Sequence, residues 1–372
     1  MGSESQRAAN RPATADPASP DSAAAGERIF RYDTFGNEQF WTDTARLHEV
    51  VSRELQPLAA LSLGLKVDLD NLNLMRFVLH NPFGASGTRE LLRQNAVVGV
   101  QATFDNEGQI ARIGITCALC HSTVDDAFVP GIGHRLDGWA NSDLDIGAII
   151  ALSPALTADQ KAVYRSWGKG KYDPRYNIDG KSTPLVTPPA YGLAKVNNAT
   201  YTADGSISYW NAYAAITQMH GQGNFSEPRL NIDVKHSPDL VTSKLAALRA
   251  YQHSLLTPPT PAGSFDAAAT QRGRALFDRT CATCHVDGSG TDNNSGKLHA
   301  PSDTGVDGAY AARTATKAYR TTPLRALWQH PPYFHDGSAA TLGDVVAHYN
   351  RVRTLGLTTE QQRDLVEYLK SL

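Results

Sequence analysis

A chain of 372 residues is long enough for two ordinary domain cores. Its 35 Lys and Arg nearly balance its 37 Asp and Glu, which excludes the basic footprint of a nucleic-acid-binding protein. It has no run of about 18 apolar residues and no leader with an apolar stretch, so neither a transmembrane segment nor an export signal is read from it. Residues 1–27, rich in Ala, Ser, Pro and Asp, are expected to be a disordered leader.

The first ordered segment is predicted helical, with Phe40, Trp41, Ala45, Leu47 and Val51 as an imperfect apolar stripe that Pro57 ends. Further helices are expected near residues 72–78 and 89–96, separated by the Asn81-Pro82-Phe83-Gly84 turn. Residues 97–104 and 109–115 flank Asp105-Asn106-Glu107-Gly108 and read as a β-hairpin, expected to be a peripheral elaboration. It leads into Cys117-Ala118-Leu119-Cys120-His121.

The only other cysteines form Cys281-Ala282-Thr283-Cys284-His285, so all four sit in Cys-x-x-Cys-His units. That pattern attaches a c-type haem: the thiols add to the vinyl groups and the histidine ligates iron from one face. Two thioredoxin-like pairs would leave both histidines unexplained. One four-cysteine zinc site would have to close the 164 positions from Cys117 to Cys281. Two covalent haems are therefore expected. Such attachment takes place outside the cytoplasm, so the periplasm is the expected compartment, reached by an export signal since removed.

Between the units, residues 159–167 suggest a short helix, 168–191 an extended turn-filled stretch, and 208–219 another helix ending near Gly221 and Gly223. Ser237-Pro238-Asp239 is expected to open a helix, with serine as cap and proline in its first turn. Its apolar side would be Leu240, Val241, Leu245, Leu248, Tyr251 and Leu255. Residues 257–261 form a Pro-rich linker. The chain thus divides into an N-terminal haem domain with a large insertion over 28–256 and a cytochrome c domain over 262–372. In the latter, a helix over 265–278 precedes the haem unit, and Thr358-Thr359-Glu360 caps a final helix. Small c-type domains cross these two helices beside the haem, and Gly273 would let them approach. The fold class is mainly α: two cytochrome c-like domains plus the hairpin.

Each attachment histidine, His121 or His285, supplies one axial ligand. No methionine follows Cys281, since the three are Met1, Met75 and Met219. His348 lies 63 residues after His285 on an expected helix over 341–352, where single-haem domains bring their second ligand. It is preferred over Tyr349, and imidazole would give a lower potential than a thioether. His335 suits a hydrogen bond to a haem propionate or to backbone, and Arg320 and Arg325 suit propionates. For the N-terminal haem, His134 in Gly131-Ile132-Gly133-His134 stands 13 residues after His121, with His80 and His220 in reserve. A capping His134 would close the iron, and a displaced one would open it.

These residues resemble the bacterial dihaem cytochrome c peroxidase superfamily, which also contains the enzyme that matures methylamine dehydrogenase. The likeness is strongest over 319–350, through Tyr-Arg-Thr-Thr-Pro-Leu-Arg-Ala-Leu-Trp, Pro-Tyr-Phe-His-Asp-Gly-Ser-Ala-Ala-Thr-Leu and Val-Val-Ala-His-Tyr-Asn. The resemblance implies a methionine or tyrosine ligand 14 residues after His335, at Tyr349, against the preferred His348. Neighbours on a helix point about 100° apart, so both cannot serve easily. It also implies that His134 is the removable ligand of the peroxidatic haem. The family's inter-haem tryptophan has no counterpart in the stretch from Thr187 to Gly205, and Tyr201 or Trp210 is the expected substitute relay. The peroxide-handling glutamate is missing too, which leaves His220 as distal acid–base residue. The long segment 134–184 is similar to that of the dihaem rubber oxygenases, whose N-terminal haem binds dioxygen.

The leading expectation is a periplasmic oxidoreductase that reduces hydrogen peroxide at the N-terminal haem with electrons relayed by the C-terminal haem. A small redox protein or other electron donor would be the partner. The alternatives are an oxidase or dioxygenase of an organic or protein substrate and a dihaem electron carrier without open iron. A calcium ion and a homodimer are compatible with the resemblance.

Overall fold

The computed structural model describes residues 22–286 and 288–372. Most of the expected leader, residues 1–21, lies outside the described residues. Its end does not. Ser22 caps the helix Ala23–Tyr32 by accepting from the Ala25 amide at 3.1 Å. Assigning 23–27 to a disordered leader is therefore corrected: Ala23-Ala24-Ala25 is as good a helix former as it is a low-complexity run.

This first helix packs on Leu245–Ser254. A Cβ at Gly26 would lie 2.0 Å from the Ala247 carbonyl oxygen, so the two backbones meet where only glycine fits. Phe30 is fully buried there and meets Tyr251 edge-on at 5.5 Å. Burying a side chain of that size contributes roughly 1.5–3 kcal/mol. Ala267–Thr280 crosses Thr359–Lys370 by the same device, because a Cβ at Gly273 would lie 2.0 Å from the Asp364 carbonyl oxygen. The second crossing is the one expected from Gly273. Thr358 and Gln361 form a reciprocal capping box at the start of the final helix.

Strands pair only in twos among the described residues, and the fold is mainly helical as expected. Buried apolar side chains gather in three cores. One lies at the helix crossing of residues 267–372, with Phe277, Leu327, Val346 and Leu365. A second surrounds the first crossing with Phe30, Tyr213, Val241 and Leu248. The third is built largely from residues ahead of Cys117, including Trp41, Leu47, Leu92 and Ile113. Segment 134–184 adds Leu144, Ile146, Ile150 and Trp167 to it, so that insertion completes an existing core.

The hairpin pairs Val100–Phe104 with Ile110–Ile115, Val100 opposite Ile115. It is not peripheral: Val100, Ile110 and Ile113 are buried in the third core. Strand alternation gives one face to that core. Helices Leu74–Leu79 and Ala158–Arg165 fall close to where the periodicity puts them, while Ala85–Arg93 starts four residues ahead of the expected 89–96 and also ends earlier. Ile207–Tyr213 continues as a π-helical turn through Gln218. Ser237 does not cap a helix. The helix Leu245–Ser254 starts later, behind Lys244 and without a side-chain cap, and Asp239 closes the turn ahead of it, its Oδ1 accepting from the Val241 and Thr242 amides at 2.9 and 3.0 Å.

Candidate haem sites

The first unit is clamped between the first helix and the hairpin. Thr116 donates its hydroxyl to the Arg31 carbonyl at 3.1 Å and its amide to the Gly99 carbonyl at 2.9 Å. Gly99 sits at φ +77°, and a Cβ there would strike the Leu119 backbone nitrogen at 2.1 Å. A single turn, Ala118–His121, then presents the cysteines and the histidine. His121 Nδ1 lies 3.1 Å from the Pro188 carbonyl, a group that can only accept. The proton therefore sits on Nδ1 and the Nε2 lone pair is free to bind a metal. Burial lowers His121 to about 4 and pushes the Cys117 and Cys120 thiols up to about 12.

The second unit follows directly from Ala267–Thr280, with the Cys284 and His285 amides both bonded to the Cys281 carbonyl. His285 repeats the arrangement: its Nδ1 faces the Gly290 carbonyl at 3.3 Å, and burial lowers it to about 4. Both imidazoles are neutral at pH 7 and offer Nε2.

Next to this unit the helix Leu342–Val352 presents two neighbours differently. His348 turns its Nε2 to the Thr304 carbonyl at 2.7 Å. Tyr349 is half-buried on the side of Cys281 and Cys284. Burial pushes its phenol up to about 12, and those two thiols act on it electrostatically in the same direction. Tyr349 is the side chain on which the two thiols act, while His348 is engaged with the Thr304 carbonyl. A helix that turns one of these residues inward turns the other away.

Arg320 is an orphaned cation. Its Nε donates to the Thr200 carbonyl, but its buried Nη1 has no partner, and burial lowers its pKa to about 10. Arg325 is half-buried and gives Nη2 to the Ser289 carbonyl at 3.0 Å. A guanidinium buried without a carboxylate fits a site that receives an anionic group. His335 is buried, with Nε2 2.9 Å from the Tyr319 hydroxyl. That hydroxyl donates its one proton to the Asp307 carbonyl, so His335 Nε2 carries hydrogen and is engaged as a donor.

The proposed distal residues are placed otherwise than expected. His134 is exposed, and Asp70 holds its Nδ1 at 2.8 Å, a hydrogen bond that raises its pKa. Arg135, the next residue, turns inward to a buried pair with Asp68 at 2.9 Å. Extended backbone then sends His134 outward. His80 is exposed as well, on the Arg76 carbonyl. His220 stacks on Phe40 with ring centroids 3.5 Å apart and has Trp41 at 6.0 Å. Its Nε2 is 3.4 Å from Asn177 Nδ2, and burial lowers it to about 4.

Of the expected relays, Tyr201 bonds its hydroxyl to the Val186 carbonyl at 3.2 Å and packs edge-on to His335. Trp210 is buried among Tyr209, Tyr213 and other residues of the second core. A different pair spans the two halves: Trp139 meets Trp328 edge-to-face at 5.6 Å, and Tyr191 packs on Trp139 at 6.4 Å while bonding Gln329. Trp139 adjoins Gly138, whose amide donates to the His121 carbonyl at 2.8 Å. Trp328 adjoins Leu327, in the core that also packs Cys281. No spacing rule points to this pair, although Trp328 falls inside the stretch 319–350. Among the described residues, the one His/Cys/acid group with metal-like spacing is Cys284, Asp292 and His299. A thiol and an imidazole do not suit calcium, so that expectation gains no support.

Two histidines offering Nε2, each beside its own cysteine pair, and a buried guanidinium awaiting an anion define a c-type haem protein. The cytochrome c family model matches residues 270–372. The chain is 30% identical over 311 residues to the methylamine utilization protein MauG of Methylorubrum extorquens, covering 76% of this chain and 79% of that one. It is 28% identical to the MauG of Methylophilus methylotrophus, over 76% and 83%. A cytochrome-c peroxidase of Denitromonas iodatirespirans is 37% identical over 65 residues, 14% of this chain and 17% of that protein. The chain belongs to the dihaem cytochrome c peroxidase/MauG superfamily.

Proposed function

We propose that both units carry haem and that the protein is a periplasmic dihaem oxidoreductase. Hydrogen peroxide would be reduced at the N-terminal haem with electrons relayed by the C-terminal one. The observation that carries this reading is the asymmetry of the second ligands. Tyr349 stands half-buried on the side of Cys281 and Cys284, whereas His134 is held at the surface by Asp70. The C-terminal site then has a side chain for each face and the N-terminal site keeps a position for a small oxidant.

Haem, when bound, supplies the redox couple and that coordination position. The protein's own groups do the rest. Pro188 and Gly290 orient the two proximal imidazoles through Nδ1. Arg320 takes a propionate. His220, neutral above a pH of about 4, accepts a proton beside Asn177. Trp139 and Trp328 carry electrons between the halves, a role expected of Tyr201 or Trp210. A small redox protein refills the C-terminal haem.

A second reading, oxidation of an organic or protein substrate by the same site, is favoured by the 30% identity to a methylamine utilization protein over most of its length. Carbon monoxide added to the reduced holoprotein tests both. A spectral change at one haem, followed by rapid peroxide turnover with a reduced small cytochrome, is the expected result. Rapid peroxide reaction without turnover of the cytochrome selects the second reading. Two low-spin haems that ignore carbon monoxide overturn both and leave an electron carrier.

A further inference from the structure

The third core, ahead of the first Cys-x-x-Cys-His unit, is not filled. It leaves a cavity of about 70 Å³ walled by aliphatic side chains, among them Leu55, Leu61, Leu91 and Ile149, together with Trp41 and Leu119. Its two polar wall groups are already engaged. Thr88 gives its hydroxyl to the Leu55 carbonyl at 2.5 Å, and the Trp41 indole N–H is bonded to the Met219 carbonyl at 3.0 Å. Nothing on the wall is left to hold water, which needs two to four polar partners to enter a cavity. The space is dry, and its occupant has to be apolar.

Volume narrows the class. A dry cavity of about 150 Å³ admits benzene or xenon. One half that size is too small for an aromatic ring and suits a diatomic gas. Its position adds meaning, because Leu119 lies between Cys117 and Cys120 and forms part of the wall. Trp41 lines the cavity and turns its edge to His220 at 6.0 Å. A guest is therefore one side chain from the haem-attachment turn and one from the neutral imidazole.

We propose that this cavity is a binding site for a small apolar gas, and that dioxygen held there supplies the N-terminal haem. Its redox meaning rests on the haem reading, but gas occupancy does not. Hydrogen peroxide, which is polar, gains nothing from such a void and reaches the site by another route.

Xenon is the probe. Crystals of the holoprotein under xenon should show one site walled by Leu91, Leu119 and Trp41, and Ala60→Leu, which adds bulk to the wall, should lose it. In solution, Ala60→Leu should slow dioxygen association with the reduced protein several-fold while leaving the peroxide rate unchanged. Should that variant fail to fold, xenon pressure on the unaltered protein should slow dioxygen association in the same selective way. Absence of xenon from the cavity overturns the proposal. So does xenon binding with no effect on the dioxygen rate, or an equal effect on peroxide. A protein that takes xenon but whose haems bind neither carbon monoxide nor dioxygen retains the gas site and loses the proposed function instead.

Discussion

Arg313 ties the two halves of the molecule, and removing it is a sharp test of what holds them. It reaches from the turn Ala311–Arg313 into segment 134–184 and is almost wholly buried. Its Nη1 and Nη2 bond both oxygens of Asp173, at 2.8 and 3.2 Å. Nε and Nη2 bond both oxygens of Asp179, at 2.8 and 2.7 Å, and Nη2 also reaches the Lys181 carbonyl. Asp173 is fully buried, so Arg313→Met strands a carboxylate with no cation. Breaking a buried pair in this way costs about 3–5 kcal/mol. Denaturant unfolding of the holoprotein should show that loss, followed separately by the haem absorbance of each half because such a chain need not unfold in one step. Arg313→Lys should recover only part of it, because an ammonium cannot bridge two carboxylates with fixed forks. Asp173→Asn combined with Arg313→Met should cost less than the sum of the two single changes, with coupling of about 0.5–3 kcal/mol. The pH dependence has a definite sign. Burial works against the charged form of Asp179, but hydrogen bonds from Arg313 outweigh it and leave its pKa lowered. Its contribution is complete above the unfolded value of about 3.9 and fades as pH falls below it. The gap between wild type and Arg313→Met should therefore shrink as pH falls, first where the stranded Asp173 carboxylate of the variant takes up its proton and then further below about pH 4, where the wild-type pairs are lost. A loss under about 1 kcal/mol, or strict additivity in the double variant, would refute the reasoning.

Three further outcomes follow from the sites. Tyr349→Phe should alter the spin state and spectrum of the C-terminal haem, while His348→Ala leaves both unchanged; the reverse pattern restores His348 as ligand. Trp328→Phe should slow oxidation of the C-terminal haem after peroxide is added at the N-terminal one, by about tenfold or more if removing the indole raises the barrier by ~1.4 kcal/mol. Tyr201→Phe should have no such effect, and stopped-flow spectra of each haem distinguish the two. The rate of peroxide reaction should hold down to acid pH and fall as His220 gains its proton near about 4. His220→Gln should abolish that fall and lower the plateau, and a pH–rate profile unchanged by this substitution removes His220 from the chemistry.

What the sequence made legible was local. Thr358 and Gly273 announce the final helix and its close crossing because capping and small-residue packing leave their mark within a few positions. The equivalent crossing at Gly26 was hidden by an alanine run that reads equally as helix or disorder. Distance along the chain narrowed the candidate second ligand of the C-terminal unit to the neighbours His348 and Tyr349 and went no further. Spacing says how far a helix has travelled, but which of His348 and Tyr349 faces inward depends on its rotation. That rotation is set by Leu342 and Val346, which face the core. The placement of His134 was open for a related reason: glycines show that the backbone is free to turn, but the buried Arg135–Asp68 pair decides which way. Trp139 and Trp328 lie too far apart for any local pattern to join them.

The same glycine crossing stands beside each Cys-x-x-Cys-His unit, so the two halves use one device and differ in what was added to it. The C-terminal half adds a helix that brings Tyr349 to the cysteines. The N-terminal half adds a core of its own, entered by Leu119 from within the haem unit and fastened through Trp41 to the Met219 carbonyl beside His220. One addition sets a side chain beside its cysteines, and the other sets apolar, water-excluding walls beside its attachment turn. That division is what a protein needs if one haem is to exchange electrons and the other to meet a small oxidant.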